Sequence, residues 1–148
     1  MISEAMAKWL DDQASITIPV YYGNIPQSVS TRPVIVVQPP HSYDHGQTAN
    51  KTHPQKLEHF CIRIVGSNFT SLAAPRDAVI ALLEDIAETH TPTTIGAYRC
   101  QGIIMGDITM DSAVYSKEVN DRRQPGSPEQ DFSYCDIPCM ASYHKAVA

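Results

Sequence analysis

KLEHFCIRIVG (56–66) and SLAAPRDAVIALLEDIAE (71–88) stand almost back to back, and their hydrophobic periods differ. The first alternates. Glu58, Phe60, Ile62 and Ile64 share one side; Leu57, His59, Cys61, Arg63 and Val65 share the other. A period of two is that of a half-buried strand. Phe60, Ile62 and Ile64 are expected in the core, with His59 and Arg63 facing water or a partner. The second stretch repeats near 3.6. Leu72, Val79, Leu82, Leu83 and Ile86 form a helical stripe, and Arg76, Asp77, Glu84, Asp85 and Glu88 lie largely off it. Gly66, Ser67 and Asn68 make the turn between them. Ser71 is the expected cap, and Pro75 is placed in the first helical turn. Strand and helix each have one face to hide, so they are expected to pack on each other. Deep burial is expected for Leu82, Leu83, Ile86, Phe60, Ile62 and Val36.

Towards the N-terminus, Ile2, Met6, Trp9 and Leu10 make one stripe of a helix over Ile2–Gln13. Ile18–Tyr22 reads as a strand with Pro19 at its start or on an edge. Val34–Val37 is a continuous β-branched run, the pattern of a strand buried on both faces. Residues 39–55 carry no apolar period and read as a long loop. Towards the C-terminus, Tyr98–Met105 and Ile108–Tyr115 read as two strands of a hairpin turning at Gly106 and Asp107. Residues 117–130 are polar and hold Pro125, Gly126 and Pro128, the composition of a loop. Asp131–Tyr143 alternates as a last strand. The expected fold is one α+β domain over 1–148. It has a mostly antiparallel twisted sheet, two helices packed on it, and long loops at 39–55 and 117–130.

The 148 residues suffice for a sizeable core in one domain. With 43% hydrophobic and 18% charged residues the composition is that of a globular protein. The net charge of −5, with no concentrated basic face, argues against a tight sequence-reading nucleic-acid binder. No apolar run approaches the roughly 18–20 residues of a membrane span. The N-terminal stretch carries Glu4, Asp11 and Asp12 and lacks the basic start of a signal peptide, so synthesis in a cytoplasm is expected. Cys61, Cys100, Cys135 and Cys139 form no CxxC pattern and read as small buried hydrophobes. On a strand, Cys135 and Cys139 share a face but lie about 13 Å apart, too far for a disulfide or a common metal. Pro138 is the one residue there able to break the strand.

Candidate chemistry is sparse. His41, His45 and His53 with Asp44 are weak metal-ligand candidates, since imidazole suits transition metals. A His-x3-His pair chelates reliably on a helix, however, and no helix is expected there. The chain lacks a Gly-x-Ser-x-Gly elbow, a phosphate-binding glycine loop and a dinucleotide fingerprint. Asp107 and Asp111 make a carboxylate pair whose context equally fits an exposed strand. No cofactor and no catalytic role are expected. Arg122 and Arg123 are the one adjacent basic pair. With Lys117 nearby they are candidates for an ordering contact with a neighbouring subunit. Arg63 and His59 join them as interface candidates.

The order of segments resembles a known family. A helix of about three turns is followed by VYYGNIP (20–26), RPVIVVQ (32–38) and LEHFCIRIVG (57–66). Then come the helix 71–88, with small residues Ala73, Ala74, Ala78 and Ala81, and a final strand at 131–143. This pattern is similar to the tail terminator, or tail-completion, proteins of long-tailed bacteriophages, some of which are termed minor capsid proteins. The His-containing loop and the length of the 117–130 segment depart from it. The resemblance implies a homo-oligomeric ring, usually hexameric, in the tail or neck of a virion, assembled in the host cytoplasm. Such a ring caps the tail tube, ends its polymerisation and offers a docking surface to the head-side connector. DNA passes through it without sequence-specific binding, and no membrane is involved. Two other readings stand beside it: a head-closure, neck or tail-tube protein, and, more remotely, a small metal-dependent enzyme using the 41–53 histidines.

Overall fold

The computed structural model describes residues 1–29, 31–45, 55–89, 92–114 and 131–145. The elements run α1 (Ile2–Asp11), β1 (Val20–Tyr22), β2 (Val34–Val37), β3 (Ser42–His45), β4 (Lys56–Gly66), α2 (Phe69–Thr89), β5 (Thr93–Ile95), β6 (Tyr98–Met105), β7 (Thr109–Val114) and β8 (Asp131–Lys145). All eight strands join one sheet, in the order β1-β2-β4-β8-β6-β5, with β3 also on β4 and β7 also on β8. Every pairing is antiparallel except β1 with β2. The α+β architecture matches the sequence reading.

The centre is the long antiparallel pair of β4 and β8, in register from Lys56↔Tyr143 to Gly66↔Ser133. The alternation in β4 holds as read. Phe60, Ile62 and Ile64 are fully buried, and so are their partners Cys135 and Ile137. Both helices cover this side of the sheet. α2 packs on β4, β6 and β8; α1 packs on β1, β2 and β4 and also on β5, at the opposite edge. The sheet therefore curls until both margins reach α1. Gly96 closes that approach: its φ is +59°, and a Cβ there would stand 3.0 Å from the Ala5 Cβ. Val34 to Val37 are all buried, as expected of a two-sided strand. Ile35 and Val37 join the main core, while Val34 and Val36 join Val65 in a second cluster on the far side, under Tyr21, Ile25 and Tyr134.

Several expectations are corrected. Tyr98–Met105 and Ile108–Tyr115 do not form a hairpin. β6 and β7 run end to end along the same margin of β8, opposite residues 139–145 and 131–136 respectively. They are one strand interrupted at residues 106–108. The cause lies in β8: the Gly106 N–H donates to the Pro138 carbonyl (2.9 Å), so the missing Pro138 N–H also faces this margin and the ladder breaks there. The 39–55 segment is not all loop, because Ser42–His45 pairs with Lys56–His59. β2 and β3 together form an interrupted strand along β4. α2 starts before Ser71. The Asn68 Oδ1 accepts from the Ser71 N–H (2.9 Å), and the Ser71 hydroxyl donates back to the Asn68 carbonyl (2.8 Å), so Asn68 is the cap. Pro75 then falls in the second turn of α2, inside the helix. Leu82 is only half-buried, at the border of the stripe.

Candidate functional site

Glu58 is the chain's one fully buried carboxylate among the described residues. Its place in the alternation of β4 puts it on the helix side, under the start of α1. That helix begins without a side-chain cap of its own. The sheet supplies one: the Ser3 N–H donates to Oε2 of Glu58 (2.8 Å), and the Tyr143 hydroxyl donates to Oε1 (2.8 Å). Around this pair the Ser3 and Tyr22 hydroxyls lie 3.2 Å apart. Tyr98 packs edge-on against Tyr143 with ring centroids 5.2 Å apart, and its hydroxyl accepts from the Met1 ammonium (2.9 Å). A negative group at a helix N-terminus offsets the unpaired N–H groups and the helix dipole. Both carboxylate oxygens are engaged by the fold, so the group works as a clasp between helix and sheet. The sequence showed Glu58 sharing a face with Phe60 and Ile62; an acid in an apolar series was the available signal.

Among the described residues, the opposite side of the central strands bears no helix. Here Arg63 and Asp136, cross-strand partners, form a two-pronged ion pair (Nε–Oδ1 2.7 Å, Nη2–Oδ2 2.9 Å). The Arg63 guanidinium also lies 4.5 Å over the Tyr134 ring. The hydrogen bonds that Arg63 donates to Asp136 hold its pKa above the ordinary value. This interface candidate is thus already engaged within its own chain. His59 sits four residues away along the same side, half-buried, with the His41 ring centroid at 6.1 Å. Next to His59 across β8 and β6 come Met140 and Ile104, the latter 61% exposed. Further along, Gln101 Nε2 and His144 Nδ1 lie 2.9 Å apart. The result is a surface of imidazoles, a locked ion pair and apolar side chains.

The remaining candidates divide by position. Register sets His41 beside His59 and His45 beside Lys56, so the backbone carries the two histidines apart. His53, Lys117, Arg122 and Arg123 lie outside the described residues, as does any account of the His45 side chain. Among the described residues no three His, Cys, Asp or Glu side chains converge as a metal site. Asp107 and Asp111 are exposed. The cysteines are all free thiols, three of them buried. Burial pushes Cys139 up to about 12 and Cys100 to about 11. Cys61, half-buried beside Asp136, is raised to about 11, chiefly by desolvation. Such thiols are poor nucleophiles near neutrality. No helix among the described residues is long and apolar enough to cross a membrane.

No protein-family model matches the chain, and no curated relative matches it in sequence. Among solved structures it is similar to a chain of the "virion of native gene transfer agent (GTA) particle". The TM-score is 0.56 at 14% sequence identity, and the match covers 96% of this chain and 93% of that one. At that identity the likeness is one of fold, and it runs from end to end of both chains.

Proposed function

We propose that the protein is a structural virion component that forms a ring at the end of a phage tail tube. There it stops tube polymerisation and presents the docking surface for the head-side connector. The observation that carries this reading is the end-to-end likeness of fold to a chain of the gene transfer agent virion particle. The segment order that resembles tail terminators points the same way. The features of the chain are compatible with assembly work: a sheet side bearing His59, Met140 and Ile104 that no helix covers among the described residues, and a buried carboxylate occupied by structural hydrogen bonds. The ring is a closed set of head-to-tail contacts. It binds tube protein on one side and connector on the other, lets DNA pass, and turns over no substrate. Arg122 and Arg123, between β7 and β8, are proposed to contact the neighbouring subunit or the tube.

The test is genetic. Particles lacking this gene should carry overlong or polydisperse tails with unjoined heads. Tails of normal length with unjoined heads would refute the terminator role and favour a head-closure protein. Absence of any tube would favour a tube subunit. An Arg122→Ala, Arg123→Ala double variant should fold normally and complement the null poorly.

A further inference from the structure

The two interrupted strands leave the sheet with two uncovered margins. β1 covers β2 and β5 covers β6, but among the described residues no strand lies outside β3 or outside β7. These margins are at diagonally opposite corners. β3 is centred opposite Leu57 and Glu58, at the start of β4. β7, through Ser133 and Tyr134 of β8, is level with Val65 and Gly66, at the end of β4.

We infer that subunits of the ring join by strand pairing, the outer margin of β7 in one copy adding to the outer margin of β3 in the next. The inference rests on the ring reading above and names its contact. Direction is the first support. β3 is antiparallel to β4, and β7 is antiparallel to β8, which is itself antiparallel to β4. When a second copy continues the sheet in the same sense, β7 and β3 meet antiparallel. Each copy uses one margin as donor and the other as acceptor, the heterologous arrangement that closes into a ring.

The available backbone groups are the second support. Pro138 directs its carbonyl to Gly106, so the even-numbered residues of β8 face the β7 margin. Thr109, Asp111 and Ala113 sit opposite Asp136, Tyr134 and Phe132 and turn their backbone groups to β8. Met110, Ser112 and Val114 therefore turn theirs outward. Met110, on this margin, is itself 37% exposed. Arg76, two turns on from Phe69, reaches the Met110 sulfur (3.1 Å). An uncovered strand bearing an exposed apolar side chain is a template for another strand.

Closure is the third. The two margins are offset by about eight residues, ~26 Å, across four strands spaced ~4.8 Å. A flat ring absorbs that stagger if the strands tilt about 55° from its axis, somewhat steeper than the roughly 35–45° of single-chain barrels. The offset thus does not force a filament.

The decisive variant is Ser112→Pro. It removes an outward N–H that β8 does not use, so the subunit should keep its fold while losing the added strand. Ser112→Ala, which keeps the N–H, is the control. Light scattering after size exclusion should show rings for the native chain and Ser112→Ala, and folded monomers for Ser112→Pro. Rings from Ser112→Pro would overturn the contact and leave the ring reading intact. A native chain that stays monomeric at every concentration would overturn both. Should Ser112→Pro fail to fold, mixing Ser112→Cys with Tyr43→Cys protein and a short bis-maleimide replaces it. A cross-linked dimer in the mixture, and in neither variant alone, supports the contact; its absence from a sample that forms rings refutes it.

Discussion

Removing the Glu58 carboxylate should uncouple α1 from the sheet. Two donors at 2.8 Å depend on it, the Ser3 N–H and the Tyr143 hydroxyl, and the side chain is fully buried. Leaving a buried donor unsatisfied costs about 1–3 kcal/mol, so Glu58→Ala should destabilise by roughly 3–5 kcal/mol. Against a total of about 5–15 kcal/mol for a domain, that is roughly a fifth or more of the stability. Tyr143→Phe removes one charge-assisted bond and should cost about 1.5–3 kcal/mol. Glu58→Gln keeps the shape. Its amide oxygen can accept from Ser3 while its NH2 donates to a rotated Tyr143 hydroxyl. What remains is the loss of a negative charge at the helix start and weaker bonds, about 1 kcal/mol. The expected order of loss is Ala, then Tyr143→Phe, then Gln. Urea melts followed by far-UV circular dichroism measure it, and amide exchange at Ser3 gives a local readout that should accelerate most in Glu58→Ala. A Glu58→Ala loss under about 0.5 kcal/mol, or a Gln variant as damaged as the Ala variant, would refute the clasp.

Three further outcomes follow from the packing. Leu83 is fully buried in the α2 stripe, and Leu83→Ala should cost about 2–5 kcal/mol in the same melts. Gly66→Ala would bring a Cβ to 2.6 Å from the Ser71 hydroxyl and 2.8 Å from the Leu72 Cδ2. A loss of about 1–3 kcal/mol is expected there, and an unchanged midpoint would show that the α2 cap yields freely. Burial raises the Cys139 thiol from 9.0 to about 12, so the folded state holds its proton where the unfolded chain has lost it. That stability is complete below pH 9 and declines as pH rises towards 12. Thermal melts should show the decline beginning above pH 9, and Cys139→Ala should make it shallower.

What the sequence determined by itself is what local spacing encodes. The alternation from Lys56 to Gly66 assigned Phe60, Ile62 and Ile64 to the core, because a strand turns successive side chains to opposite faces whatever its neighbours are. The run Val34–Val37 announced burial on both sides for the same reason. The 3.6 spacing of Leu72, Val79, Leu83 and Ile86 placed α2 on the sheet. Leu82 fell half outside because the width of a buried stripe depends on what lies against it.

Only the tertiary structure decided who pairs with whom. Backbone hydrogen bonds are the same for every residue except proline, so the residues of β6 and β7 do not state whether they face each other or share β8. Pro138, 32 positions beyond Gly106 in the chain, breaks the ladder there, and no local period connects the two. The same holds for β3, four residues long and recruited by β4, and for Glu58, whose partners Ser3 and Tyr143 lie 55 and 85 positions away. A buried charge is tolerated only where donors meet it, and that meeting is a property of the closed fold. The diagonal pair of uncovered margins is likewise visible only once both interrupted strands are laid along the central pair.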